Sequence, residues 1–478
     1  MVFSGAMFLF AFLPLLLGVY YVIPRRCMAA RNGALLGASL LFYAFGEPVW
    51  VVLLILSAAS DYVCGRVIGW RRARGTGPRS GKAALIVSLC LNLGLLATFK
   101  YLDFFLDSAG LLLGRGLPLT GLALPIGISF YTFQTLSYTL DVYRGKVGVQ
   151  RSFLDFLLYV SLFPQLIAGP IVRYSAIESQ LRGRRADWDT FSRGVQRFIV
   201  GLSKKMLLAN PLGAIAADTF AADALTLSPG LAWLGALCFT FQIYYDFSGY
   251  SDMAIGLGLM FGFRFDENFR HPYAARSVRD FWTRWHISLS SWFRDYVYIP
   301  LGGNRRGRGR QIFNIMLVWG LTGLWHGAAW NFVLWGLYYG VLLLLEKFVW
   351  GKALERAPRA LGHVYTLLIT VFGWVIFNAG SLPQIGQYTA AMLGAGSGYY
   401  SGALRRLLDY KAELLCACAF SVPLAAGLRG LPRKLTEPSP RLTAAAEALR
   451  LAGLLALFAL SAVSVVKSSY NPFLYFRF

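Results

Sequence analysis

Residues 317–345 read LVWGLTGLWHGAAWNFVLWGLYYGVLLLL, and His326 is the only Asp, Glu, Lys, Arg or His among them. Lipid offers no partner to a bare backbone amide, so an apolar run of this length is satisfied as helix, whose amides bond within their own segment. The run sets the fold class as helical and membrane-embedded. It also raises a chemical question, because an ionisable group at such depth is costly and a functional role is the first hypothesis for it. Just upstream, residues 281–316 carry a second histidine, His286, and the basic turn Asn304-Arg305-Arg306-Gly307-Arg308-Gly309-Arg310.

The rest of the chain agrees. Of 478 residues, 56% are hydrophobic and 14% charged, and mean hydropathy is +0.53. A soluble chain carries about 25% charged residues. Apolar stretches recur near 7–23, 33–46, 49–69, 83–99, 153–172, 195–216, 231–262, 312–326, 328–349, 362–379, 411–428 and 447–466. The expectation is an all-α, polytopic integral membrane protein built as a single domain over 1–478.

The net charge of +23 gathers in short loops: Arg25, Arg26 and Arg31; Arg71, Arg72, Arg74, Arg79 and Lys82; Arg182, Arg184 and Arg185. Such loops mark the cytoplasmic side and meet anionic headgroups, so the lipid bilayer is the expected partner, and nucleic acid is not. In MVFSGAMFLFAFLPLLLGVYYVIPRR the charges follow the apolar residues, which reads as a retained first span with its N-terminus extracytoplasmic. The six cysteines show no paired metal spacing, so neither a disulfide framework nor a metal site is read from them.

Segment 102–114 is amphipathic, with Asp103 and Asp107, and reads as an interfacial helix. Residues 121–140, GLALPIGISFYTFQTLSYTL, read as a broken or re-entrant helix. Residues 274–300 are too charged to span lipid and too aromatic for a solvated loop; they read as a helix along the interface or one dipping into a protein-lined cavity. The 429–441 stretch, RGLPRKLTEPSPR, reads as a polar connection between late spans.

His326 is flanked by small residues, Gly323, Gly327, Ala328 and Ala329, which admit a neighbouring helix or a slender ligand. An imidazole there is suited to general-base work near neutral pH, against the plain alternative of a buried histidine bonded to a carbonyl. His286, in Trp285-His286-Ile287-Ser288, is a candidate second imidazole, bracketing a reacting hydroxyl, or else a polar anchor. Asp246 and Asp252 read either as polar lining of a cavity or, the favoured reading, as paired carboxylates with arginines such as Arg264 or Arg276 as partners. The arginines Arg305, Arg306, Arg308 and Arg310 serve the cytoplasmic charge bias and are also suited to a donor's phosphates. His271 and His363 are given no role.

The sequence WTRWHISLSSWFRDYVYIPLGGNRRG at 282–307, followed by GLTGLWHGAAWNFVLWGLYYG at 320–340, resembles the membrane-bound O-acyltransferase family. Within it, the likeness is to the alginate O-acetyltransferase branch of bacterial polysaccharide acetylators. The opening MVFSGAMFLFAFLPLLLGVYY, the middle FQIYYDFSGYSDMAIGLGLMFGF and the ending NPFLYFRF carry the resemblance across the chain.

The resemblance implies about eleven spans with interfacial or re-entrant helices around a funnel or tunnel. It makes His326 the principal catalytic histidine and His286 the second motif residue. It further implies acetyl transfer from cytoplasmic acetyl-CoA towards an extracytoplasmic polysaccharide at the bacterial inner membrane. A soluble or anchored partner acetyltransferase is expected with it, and no permanently bound cofactor. The competing readings are D-alanyl transfer from a carrier protein towards teichoic acid, and a permease without chemistry.

Overall fold

A computed structural model describes residues 1–75, 81–167, 169–398, 402–423, 440–467 and Leu474; most of the 429–441 stretch and most of the NPFLYFRF ending lie outside them. The described residues form helices and no strands, as apolar runs whose amides must bond within their own segment require. Six helical runs are long and apolar enough to cross a bilayer: Trp50–Ala73, Lys82–Leu112, Trp188–Ala221, Trp330–Arg356, Arg359–Asn378 and Ala444–Lys467. The protein is an all-α, polytopic membrane protein. Other apolar stretches fold as shorter or interrupted helices, among them Phe8–Val22.

The chain divides into two compact units. One comprises Met1–Phe198 with Met253–Asp266, and the other Ile199–Asp252 with Glu267–Phe478.

In the first unit, the 102–114 segment departs from the interfacial reading. It continues the preceding helix through a π-helical turn, Ala97–Tyr101, so that Lys82–Leu112 is one helical run. Asp103 folds back to accept the amides of Thr120 and Gly121 at 2.8 and 3.0 Å, and so uses its charge locally. Irregular backbone does precede the next helix, ending at Gly127 with φ +81°, and the helix itself, Ile128–Arg144, is buried along nearly its whole length.

The second unit holds the stretch that decided the fold class. Residues 307–345 form two antiparallel helices, Gly307–His326 and Trp330–Leu345, joined by the extended Gly327–Ala329 turn. Glycines set their closeness. A Cβ on Gly323 would lie 2.2 Å from the Phe332 carbonyl, and one on Gly336 would lie 2.2 Å from the Trp319 carbonyl. Without a hydrophobic force between helices in lipid, such backbone contact is a main source of association.

Residues 274–300 are a broken path rather than one interfacial helix: Val278–Arg284, Ile287–Phe293 and a π-helical turn Arg294–Tyr298. Val278, Phe281, Trp282, Trp285, Leu289 and Trp292 are buried, which fits a dip into protein.

The two carboxylates pair as expected but with lysines. Asp246 meets Lys205 at 2.5 Å and Asp252 meets Lys204 at 2.6 Å. These adjacent lysines begin a π-helical turn, Lys204–Ala209, facing helix Pro229–Met260.

Candidate active site

His326 ends its helix. It is the last residue of Gly307–His326, and only 3% of it is exposed. Three rings meet its imidazole edge-on: Trp335 at 4.9 Å, Trp325 at 5.1 Å and Phe377 at 5.4 Å between centroids. The turn that follows is anchored by Asn331, whose amide donates to the Phe377 carbonyl at 3.1 Å. The ring wall and this anchor hold the imidazole in one place. A general base must be positioned before its basicity matters.

His286 is buried too, at 1% exposure, and its backbone lies in the left-handed region at φ +44°. Histidine visits that region more readily than most residues, yet the conformation still costs on the order of 1–3 kcal/mol and persists only where the surroundings fix it. Asn268 does the fixing. Its Oδ1 lies 3.3 Å from His286 Nδ1 and accepts the Ser288 amide at 3.1 Å and the Ser288 hydroxyl at 2.9 Å. Its backbone carbonyl accepts the Ile287 amide at 3.1 Å, and its own Nδ2 donates to Ser251 Oγ at 3.3 Å. His286 also packs edge-on against Phe247 at 4.7 Å. Burial pushes its pKa down from 6.5 to about 3, so the ring is neutral at pH 7.

The two imidazoles share one indole. The Trp325 ring is 5.9 Å from His286 and 5.1 Å from His326. Helix Val278–Arg284, which leads to His286, is held at its start by Glu346, whose two carboxylate oxygens accept the Val278 and Arg279 amides at 2.6 and 3.0 Å. A carboxylate at a helix N-terminus satisfies orphan amides and complements the dipole.

The basic turn is elsewhere. Arg305, Arg306, Arg308 and Arg310 are exposed, at the start of the 20-residue helix whose last residue is His326. At 1.5 Å per residue that helix is about 30 Å long, so the arginines and His326 stand at opposite ends of it. Arg308 lies over Phe348 and Arg310 over Phe313. His271 is exposed and His363 Nδ1 lies 3.1 Å from the Ala275 carbonyl.

Asn268 and Glu346 escaped the sequence reading. Asn268 sits in the polar stretch Asp266-Glu267-Asn268-Phe269-Arg270, where nothing sets it apart from its neighbours. Glu346 offered a weak signal, as the first acid after a long apolar run.

Two buried imidazoles on one indole, in a helical membrane protein, make these histidines the candidate site. The chain belongs to the membrane-bound O-acyltransferase family, whose model matches residues 146–382 and so covers both histidines. It is an O-acyltransferase, and the reading as a permease without chemistry falls away.

Its relatives are informative in their order. A Pseudomonas putida protein named "Probable alginate O-acetylase AlgI" is 40% identical over 100% of both chains. The peptidoglycan O-acetyltransferase of Helicobacter pylori is 35% identical, across 82% of this chain and 80% of its own length. The teichoic acid D-alanyltransferase of Bacillus subtilis is 28% identical, across 53% of this chain and 68% of its own.

Proposed function

We propose that the protein transfers an acetyl group from a cytoplasmic thioester, acetyl-CoA, for O-acetylation of an extracytoplasmic polysaccharide, with His326 as general base. His326 takes the proton of an acceptor hydroxyl as its oxygen attacks the thioester carbonyl. The tetrahedral intermediate then expels the thiolate as the C–S bond breaks, and His326 returns the proton to sulfur. The products are the O-acetyl ester and the free thiol. His286, neutral and fixed by Asn268, orients the hydroxyl or the oxyanion from the other side of Trp325. The observation carrying this reading is the pair of buried imidazoles on one indole.

The acceptor in this scheme is the polysaccharide itself or the serine of a partner acetyltransferase, soluble or anchored, at the outer face of a bacterial inner membrane. The N-terminus is then extracytoplasmic and Arg305, Arg306, Arg308 and Arg310 lie on the cytoplasmic side. Standing at the far end of the helix from His326, about 24 Å away or more at 1.5 Å per residue, these arginines attract the donor's phosphates to the membrane surface rather than touch the reacting carbonyl. The relatives named for alginate and peptidoglycan O-acetylation support a polysaccharide acceptor. D-Alanyl transfer has weaker support, since the relatives so named match about half of the chain.

The test is acetyl transfer from labelled acetyl-CoA in proteoliposomes, wild type beside His326→Ala. The expected result is labelled polysaccharide or partner with wild type and a loss of roughly 10²–10⁴ in rate with the variant, at unchanged melting temperature. Undiminished transfer by the variant removes His326 from the chemistry.

A further inference from the structure

The first unit holds a cavity of about 800 Å³ that faces Arg66, Trp70, Gln150, Arg151, Ser152 and Arg182. Small-molecule sites commonly enclose roughly 300–1,000 Å³. The three arginines reach it from three different elements. Arg66 and Trp70 are four residues apart on helix Trp50–Ala73 and so share a face. Arg151 comes from the chain between helices Ile128–Arg144 and Phe153–Ser161, and Arg182 ends helix Tyr174–Arg182. Among the described residues only Arg182 of the three has an ion pair, to Glu178 at 3.1 Å. Like charges gathered around one cavity repel each other, and a bound anion removes that cost.

The cavity's wall is set in place before any ligand arrives. The Gln150 side-chain carbonyl accepts the Arg151 and Ser152 amides at 2.7 and 3.0 Å. The Tyr62 hydroxyl donates to the Arg151 carbonyl at 2.7 Å, and the Gln150 amide donates to the Tyr138 hydroxyl at 3.1 Å. Gly69 completes the fit, since a Cβ there would lie 2.1 Å from Val149 Cγ2. Arg151, an exposed residue, is thus held at its backbone on both sides. Such preorganisation lowers the ordering cost of binding. Arginine forks match phosphate oxygens two at a time. Trp70 adds a planar apolar surface, already stacked by the Arg74 guanidinium at 3.9 Å from its ring centroid.

We propose that this cavity binds a phosphate-bearing ligand through Arg66, Arg151 and Arg182. The chemistry has two sources, the phosphates of a soluble nucleotide and the headgroup of an anionic phospholipid. The site uses none of the arginines at 305–310 and does not depend on the acetyl-transfer reading.

The full-length protein is reconstituted in phosphatidylcholine nanodiscs and titrated calorimetrically with adenosine 3′,5′-bisphosphate, the nucleotide end of a CoA donor. In a parallel arm, protein from membranes enriched in phosphatidylglycerol is delipidated stepwise and its retained phosphatidylglycerol is counted. Wild type is compared with Arg66→Gln/Arg151→Gln, with Arg151→Lys, and with Arg405→Gln as an exposed control on another helix. The expected result is saturable binding in one arm, weakened at least about tenfold by the double variant and less by Arg151→Lys, which keeps charge but loses the fork. The arm that responds names the source. Should the double variant melt below wild type, Arg66→Gln alone decides, since Arg66 is an exposed residue on a helix face. No binding in either arm, or binding that the arginine variants leave unchanged, overturns the site. Because both readouts are of binding, a failure of acetyl transfer does not bear on them.

Discussion

His286 holds an unfavourable backbone conformation and a buried ring at once, and the two costs have different signatures. The left-handed φ of +44° is tolerated by asparagine more readily than by alanine, so the backbone cost can be kept while the imidazole is removed. The ring's cost depends on pH. Its pKa is about 3 in the folded protein against 6.5 ordinarily, because burial disfavours the cation. Between these values the unfolded chain binds a proton that the folded one does not, so stability present above pH 6.5 is lost as pH falls towards 3. Melting temperatures of wild type and His286→Asn, measured from pH 7.5 to 4.5, are therefore expected to differ progressively. Wild type loses more on acidification, and a constant difference across that range would show that the ring is not held neutral. At this scale the sequence was legible where a residue was chemically out of place. His326 stood out because nothing near it was ionisable. Asn268, which holds the second histidine, was one polar residue among several, and its importance lies in contacts to residues 251, 286, 287 and 288 that no local pattern encodes.

The hairpin that ends at His326 is an element whose construction can be tested one methyl at a time. A Cβ added at Gly323 or Gly336 would stand 2.2 Å from a backbone carbonyl of the opposite helix, whereas one at Gly320 on the first of these helices would meet only the Leu337 Cδ2 at 3.9 Å. A backbone carbonyl cannot rotate aside as a side chain can. Gly336→Ala must push the helices apart and is expected to destabilise by about 1–3 kcal/mol, the usual range for overpacking. It should also lower transfer by displacing the His326 rings. Gly320→Ala gains helix propensity and ordinary contact, and is expected to melt within a degree or two of wild type, by about the effect of a neutral surface change. Thermal unfolding in detergent with an acetyl-transfer assay on both variants checks the contrast, and equal stability of the two would mean that close backbone approach does not hold the hairpin. The hairpin was readable because its two apolar runs are long and the break between them is short. Residues 274–300 were less so. Their charge excluded a span, but where the path would break, at Trp285 and His286, depends on Asn268 and Glu346 from distant sequence.

Across the whole molecule, charge sorts into two populations. Many of the cations behind the net charge of +23 are exposed, among them Arg25, Arg26, Arg71, Arg72 and Arg182, where water and headgroups screen them, but Arg31 and Arg184 in the same basic clusters are buried. A few charges are buried and must be answered by the fold. Lys205 and Asp246 are each 2% exposed and 2.5 Å apart, and Asp246 also accepts the Leu474 amide at 3.0 Å, so one carboxylate ties together three regions distant in sequence. That partnership could not be read in advance, because arginines near the carboxylates in sequence were equally plausible partners. Its energetics separate two roles. If the pair only offsets its own desolvation, Lys205→Met or Asp246→Asn alone strands a buried polar or charged partner and costs about 3–5 kcal/mol, while the double variant costs far less. If Asp246 is needed mainly for Leu474, Asp246→Asn remains costly even with Lys205→Met, since an amide oxygen accepts that bond less strongly than a carboxylate. Thermal unfolding of the two single variants and the double closes this cycle. A large favourable coupling is the expected result, since the lysine Nζ lies close enough to Asp246 for a charge-assisted bond and the carboxylate's second oxygen already serves Leu474. Additive losses would place the stabilisation in separate contacts and leave the ion pair as an incidental neighbour.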